Sequence, residues 1–284
     1  MSIEIAHPRR GPGYGWNSEL LDLDAYLDRI GYRGDRAPTA ETLRALHLAH
    51  IAAIPFENLE VVFGRPVDLD LGSVQDKLVR RPRGGYCYEH VGLFAAVLER
   101  LGYTITGLLS RVVMDSDRLI PATHSLLLVE ASGTRWICDV GLGCGPLGPI
   151  EFADGAQDTE GGWTNRLHEV SGTGEWEVQR WTGERWMVLH RFTTNPAYTI
   201  DHRVGNHYIA THPRSPFSGD LHAMRIGPGF LHTLDGTVLT TTRPDGAVDK
   251  RRLAASEVPG VLAKQFDVVL DTDDSAALVA YLEP

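Results

Sequence analysis

The chain has 284 residues, 43% of them hydrophobic, enough to bury a sizeable core in one large domain or two to three small ones. Lys and Arg total 27 against 37 for Asp and Glu, a net charge of −10, which argues against general nucleic-acid binding and its basic footprint. No apolar run approaches the roughly 18 residues of a membrane span, and three cysteines (Cys87, Cys138 and Cys144) are too few for a secreted disulfide scaffold, so a cytoplasmic protein in a reducing compartment is expected.

Residues 1–17 lack the apolar core of a signal peptide and read as a mobile leader. Residues 20–30 carry Leu23, Tyr26, Leu27 and Ile30 on one face and stop at Gly31, which predicts a helix. Thr39 is placed to cap a second helix that buries Leu43, Leu46, His50 and Ile51 and ends before Pro55. Ser73 to Asp76 reads as a capping box opening a short helix. Val91, Phe94, Val97, Leu98 and Leu101 recur at helical spacing until Gly102. The character then changes. Residues 104–114, 125–130 and 135–140 are β-rich, and 175–181 and 185–192 flank a turn as a hairpin. Residues 207–210 and 221–226 are further expected strands, Asp235-Gly236 a tight hairpin turn, and 254–266 and 275–282 helices. Helices, then strands, then a mixed end predict an α+β chain of three sub-domains.

Arg83-Gly84-Gly85-Tyr86-Cys87-Tyr88-Glu89-His90 carries the chemistry. Two glycines allow a sharp turn and close approach of a substrate. They deliver Cys87 to a helix start, where unpaired N–H groups favour the thiolate. Taken alone, such a thiol is more often a small buried hydrophobe. A nucleophile needs a base, and the base an orienting acceptor. His124 opens an expected strand, and Asp139 ends an otherwise apolar run where a lone carboxylate would be costly without a partner. His90, three residues after Cys87, is a second candidate base. Cys87, His90, Cys138 and Cys144 do not have the paired short spacings of a structural zinc site, so no metal is expected. The glycines of 141–145 offer backbone N–H groups that could cradle an anion, or a plain turn. Phe56 and Phe217 follow proline turns and suit either a pocket wall or the core.

Several stretches together resemble the arylamine N-acetyltransferases, in their bacterial form. They are Ile54-Pro-Phe-Glu-Asn-Leu59, the segment 83–90, Arg111-Val-Val113, Thr123-His-Ser-Leu-Leu127, Asp139-Val-Gly141, Phe192-Thr-Thr194 and Thr211-His-Pro-Arg-Ser-Pro-Phe217. The resemblance implies a helical bundle (1–102) carrying the nucleophile, a β-barrel (103–211) carrying His and Asp, and an α/β lid (212–284), around a cysteine-protease-like core. It implies Cys87, His124 and Asp139 as the triad, with Phe56, Leu142 and Phe217 bordering the acceptor pocket and Val112, Met114 and Thr123 near the ligands. It implies acetyl-coenzyme A as co-substrate, no permanently bound cofactor, and an aromatic amine or hydrazine as acceptor; a homo-oligomer is compatible with it. Val91 stands where the family commonly has Asn, and Leu142 where it often has Phe. The competing functions are an amide synthase using the same triad, a thiol hydrolase, and a non-enzymatic metal-binding module.

Overall fold

The computed structural model describes residues 15–116 and 118–283. Local capping sets the helices of the first third. Asp22 accepts from the Ala25 N–H and starts α1 (Leu23–Arg29), and Thr39 accepts from Thr42 to start α2 (Ala40–Ala53). A two-residue strand β1 (Phe56–Glu57) and a single turn α3 (Leu59–Val62) follow. Then come α4 (Leu71–Leu78) and α5 (Cys87–Leu101), the latter ended by Gly102 in the left-handed conformation. The expected helix over 20–30 is present as α1, which starts later, at Leu23, after a 3-10 turn at Ser18–Leu20. The expected capping box at Ser73 is also displaced: Asp70 is the cap, and its Oδ1 accepts the Ser73 N–H at 3.0 Å.

Of the expected leader, residues 1–14 lie outside the described residues. Trp16 is docked rather than loose: its N–H reaches Glu99 at 3.3 Å and its ring lies 5.3 Å from that of His202.

The middle of the chain forms β2 (Thr104–Val112), β3 (His124–Ala131), β4 (Thr134–Cys138), β5 (Ile150–Glu151), β6 (Gln157–Asp158), β7 (Asn165–Val170), β8 (Glu175–Trp181) and β9 (Trp186–Phe192). They build one antiparallel sheet ordered β5-β4-β3-β2-β9-β8-β7-β6, whose two edge strands approach each other so that a barrel nearly closes. Leu108, Leu126, Leu128, Leu167, Val178 and Phe192 form a buried cluster within it. Register decides what else joins that face. Ser110 pairs with His124 and with Phe192, and Val112 pairs with His190. Residues directly opposite across a ladder share a face, so His124 and His190 come to one end of one face.

The expected strand at 207–210 is the end of a helix, α6 (Thr199–Thr211). Its β-type residues Tyr208 and Ile209 are overruled by packing: His202 and Ile209 are buried at helical spacing, and Asn206 pairs with the Tyr86 hydroxyl. A Cβ on Gly205 would sit 1.9 Å from the Tyr88 hydroxyl, so only glycine lets α6 lie this close.

The last segment forms β10 (His222–Gly227), β11 (Phe230–Asp235), β12 (Val238–Thr242) and β13 (Val248–Arg252), covered by α7 (Val258–Gln265) and α8 (Thr272–Leu282). The Asp235-Gly236 turn is the tight hairpin expected, joining Asp235 to Val238. This sheet, ordered β1-β10-β11-β12-β13, recruits β1 from the helical third and sets Phe56 opposite Met224. The fold is thus α+β, with α5 packed on β3 between the helical core and the barrel. No described helix is long and apolar enough to cross a membrane.

Two glycines should respond oppositely to alanine. Gly205→Ala is expected to destabilise by about 1–3 kcal/mol through overpacking. Gly92→Ala, mid-helix in α5 with nothing within 4 Å of the added methyl, should stabilise by about 1 kcal/mol. Urea unfolding of both variants measures this.

Candidate active site

Cys87 is the first residue of α5, and the turn before it is tied down by buried charges. Glu89 Oε2 accepts the Tyr86 N–H at 3.1 Å, while its other oxygen meets Lys77 Nζ at 2.8 Å. Arg83 binds Glu57 at 2.9 Å and Glu60 at 3.0 Å. Lys77, Arg83, Glu57 and Glu89 are all buried, so each charge depends on its partners. Arg83 is therefore committed to carboxylates. The glycines before Cys87 act through space rather than through unusual dihedrals: neither has positive φ, and a Cβ on Gly84 would lie 2.0 Å from the Pro55 carbonyl.

His90, the second candidate base, is engaged elsewhere. Its Nε2 is 3.0 Å from the Gly85 carbonyl and 3.1 Å from that of Pro55, and carbonyls only accept, so Nε2 carries the proton. Its bare Nδ1 then accepts from His50 Nε2 at 2.9 Å, and His50 Nδ1 accepts from the Tyr26 hydroxyl at 2.8 Å. Burial pushes His90 down to about 4 despite its two carbonyl partners, and holds His50 well below the usual imidazole range. The row is neutral.

His124 is the imidazole at the thiol. Its Nε2 lies 3.0 Å from both oxygens of Asp139, which leaves Nδ1 for the neighbouring Cys87 side chain. The thiol reaches the Thr123 carbonyl as well, at 3.7 Å. Burial alone would lower the pKa of His124. The charge and hydrogen bond of Asp139, with the contact to Cys87, overcome that and push it up to about 10. Burial would raise Asp139, but His124 and His190 hold it far below the usual carboxylate range. Cys87, His124 and Asp139 are 5%, 4% and 2% exposed, so this chemistry sits in a nearly dry pocket.

The loop after Asp139 is open, from sequence, to two readings, an anion cradle or a plain turn. Its N–H groups do not present an open anion cradle: residues 141, 142, 144 and 145 are buried or nearly so, and the Gly141 N–H is 3.2 Å from Asp139 Oδ1. A Cβ on Gly141 would lie 2.9 Å from Cys87 Cα, so glycine is what lets the carboxylate loop pass behind Cys87.

His190, which the sequence reading did not single out, places Nε2 3.1 Å from Asp139 Oδ2. Its signal was a single polar side chain at an inward position of β9, two residues from the inward Phe192. Val91 is buried in the helical core; beside His124, the Gly141 N–H donates to Asp139, and His190 Nε2 approaches it at 3.1 Å. Among the described residues, Cys87, His90, Cys138 and Cys144 do not gather as a ligand set; the group with metal-ligand proximity is His124, Asp139 and His190.

Phe56 and Cys87 share a buried cluster against which Phe217 packs, with the two phenylalanine rings 5.7 Å apart. Leu142 is buried in the barrel cluster, which Val112 borders. Met114 is 40% exposed just beyond β2, and Thr123 touches the thiol through its carbonyl.

A thiol at a helix start, an imidazole at a strand start and a carboxylate just past the next strand make the array of an enzyme with a cysteine nucleophile. Residues 39–275 match the model of the N-acetyltransferase family. The structure is similar to the crystal structure of an arylamine N-acetyltransferase from Nocardia farcinica, with 48% identity, 97% of this chain and 100% of that one covered, and a TM-score of 0.92. The arylamine N-acetyltransferase of Mycobacterium tuberculosis is 39% identical over 268 residues, 91% of this chain and 93% of that protein. The Mycobacterium marinum enzyme, solved in complex with CoA, is 36% identical over 92% of this chain and 98% of its own, with a TM-score of 0.85. The chain belongs to the arylamine N-acetyltransferase family, and its core is cysteine-protease-like as expected.

The raised pKa of His124 has a thermodynamic counterpart. Its stabilisation is fully present below the unfolded value of 6.5 and is lost as pH rises towards about 10. On a Cys87→Ala background, unfolding free energy should therefore fall from about pH 6 to about pH 9, and His124→Gln should flatten the slope. Urea unfolding across that range measures it.

Proposed function

We propose that this chain transfers an acetyl group from acetyl-coenzyme A to the nitrogen of arylamines or aryl hydrazines, in a ping-pong cycle through acetyl-Cys87. The observation that carries this is the buried His124, bonded to Asp139 through Nε2 and placed beside the Cys87 thiol, in a chain of this family. The CoA complex of the Mycobacterium marinum relative supports the donor, and the names of the relatives support the acceptor class.

In the first half, the Cys87 sulfur attacks the thioester carbonyl, and His124 hands its proton to the departing coenzyme A sulfur. The oxyanion takes the Cys87 backbone N–H at the helix start, a donor type worth roughly 3 kcal/mol. In the second half, the amine nitrogen attacks the acetyl carbon, the C–S bond to Cys87 breaks, and the amine proton passes to His124, which restores the thiolate and imidazolium. Asp139 holds the imidazolium in both halves. The dry pocket favours amine over water as the acceptor.

Residues 1–102 act as the bundle that brings the nucleophile, 103–211 as the barrel that brings His124 and Asp139, and 212–284 as the lid that brings Phe217. Phe56, Leu142 and Phe217 border the acceptor; Val112, Met114 and Thr123 lie near the bound ligands. Three free, buried cysteines fit a reducing cytoplasm.

Intact-protein mass spectrometry after mixing with acetyl-coenzyme A alone should show a gain of about 42 Da, absent in Cys87→Ala and cleared by an arylamine. Asp139→Asn should lower turnover by roughly 10³-fold or more. A protein that takes neither adduct nor turns over, yet accepts carrier-bound acyl chains, would be an amide synthase instead.

A further inference from the structure

We propose that His190 is a positioning residue of this reaction: a second, neutral imidazole that donates its Nε2–H to Asp139, limits the negative charge felt by His124, and so keeps His124 able to act as a base on the acetyl-enzyme. This rests on the triad reading above.

The geometry singles out His190. Both histidines reach one carboxylate, His124 at 3.0 Å and His190 at 3.1 Å, and their ring centroids are 5.3 Å apart. His190 is fully buried, and neither ring nitrogen makes a hydrogen bond of normal geometry, so its polar contact is the 3.1 Å approach of Nε2 to Asp139 Oδ2. Nε2 approaches Oδ2 off the ideal line. In a dry site a donor at this distance still acts on the carboxylate, and such contacts tighten when ligand binds.

The surroundings leave His190 as a neutral donor. Burial lowers its pKa, and Asp139 offsets this in part. The titratable groups near the carboxylate are Cys87 on α5, His124 on β3, His47 on α2, held low by burial, and the thiols of Cys138 and Cys144, pushed up by burial. The nearest positions on β2 and β8, Ser110, Val112 and Val178, carry no charge.

The consequence differs between the two half-reactions. Forming acetyl-Cys87 uses imidazolium and thiolate, which a more exposed Asp139 charge only favours. Breaking it needs neutral His124 to receive the amine proton, which that charge disfavours. Without His190, the rising limb of the second half-reaction should therefore move to higher pH, while the first is kept.

The test compares wild type, His190→Leu and His190→Gln, each checked for folding by urea unfolding. Cys87 alkylation by iodoacetamide reports the thiolate pair. Clearance of pre-formed acetyl-enzyme by an arylamine, followed against pH, reports the second half. In His190→Leu the midpoint of clearance should rise by about one pH unit, the order expected for a hydrogen bond to a charged group, with alkylation near wild type at neutral pH. His190→Gln, which keeps an N–H donor, should return the midpoint towards wild type. An unmoved midpoint in His190→Leu, or equal losses in both half-reactions at every pH, would overturn the proposal. Should His190→Leu not fold, ¹⁵N-histidine NMR of wild type decides: His190 must stay neutral and protonated on Nε2 while His124 titrates. An Nδ1–H or charged His190 overturns the idea. Absence of acetyl-Cys87 in wild type would instead sink the acetyl-transfer reading, and the alkylation and NMR arms would still judge His190.

Discussion

A carboxylate shut away from water is unstable unless donors replace the water, and Asp139 receives them from three directions. His124 spans both oxygens, the Gly141 N–H reaches one, and His190 approaches the other. Each donor comes from a different part of the chain: a strand start, the loop of Asp139 itself, and a hairpin strand far along the sequence. The register of β2 with β3 and with β9 is what brings the two imidazoles to one end of the barrel. A one-residue slip in either ladder would turn a histidine to the other face. The site thus depends on sheet pairing as much as on the residues that do the chemistry.

The turn before Cys87 has an equivalent foundation made of charge. Lys77, Glu89, Arg83, Glu57 and Glu60 hold the turn before Cys87, and the neutral row Tyr26–His50–His90 braces its carbonyls from α1. Breaking a buried pair of this kind by removing one partner typically costs about 3–5 kcal/mol, because an unpaired charge is left behind. These residues bond one another and the turn, so their loss would lower activity by letting the turn move.

How much of this was legible follows from where each signal lay. The Cys87 helix, the hairpin 175–192, the Asp235-Gly236 turn and the motif residues Cys87, His124 and Asp139 were readable because their signals are local: periodicity, a stop glycine, a turn dipeptide, a short motif. The strand expected at 207–210 failed because its residues favour β locally, while contact with Tyr86 and Tyr88, over a hundred positions away, imposes a helix. Trp16 looked free for the same reason, its anchor being Glu99. His190 was one of twelve histidines, and only the β2–β9 register distinguishes it. The anion-cradle alternative at 141–145 misjudged a loop whose first amide faces inward.

The two-residue strand β1 has a mechanical consequence. Phe56 and Glu57 are stitched to β10 on one side, while the Glu57 N–H donates to the Gly85 carbonyl at 2.9 Å on the other. Asn58 adds clasps to His222 and Asp220. The C-terminal sheet is therefore riveted, through main-chain bonds, to the very turn that presents Cys87. Swinging that sheet away as a rigid door would drag Cys87 with it. Passage of ligands to the thiol is thereby left to side chains and loops at the rim, and the reactive geometry is insulated from whatever moves to admit them.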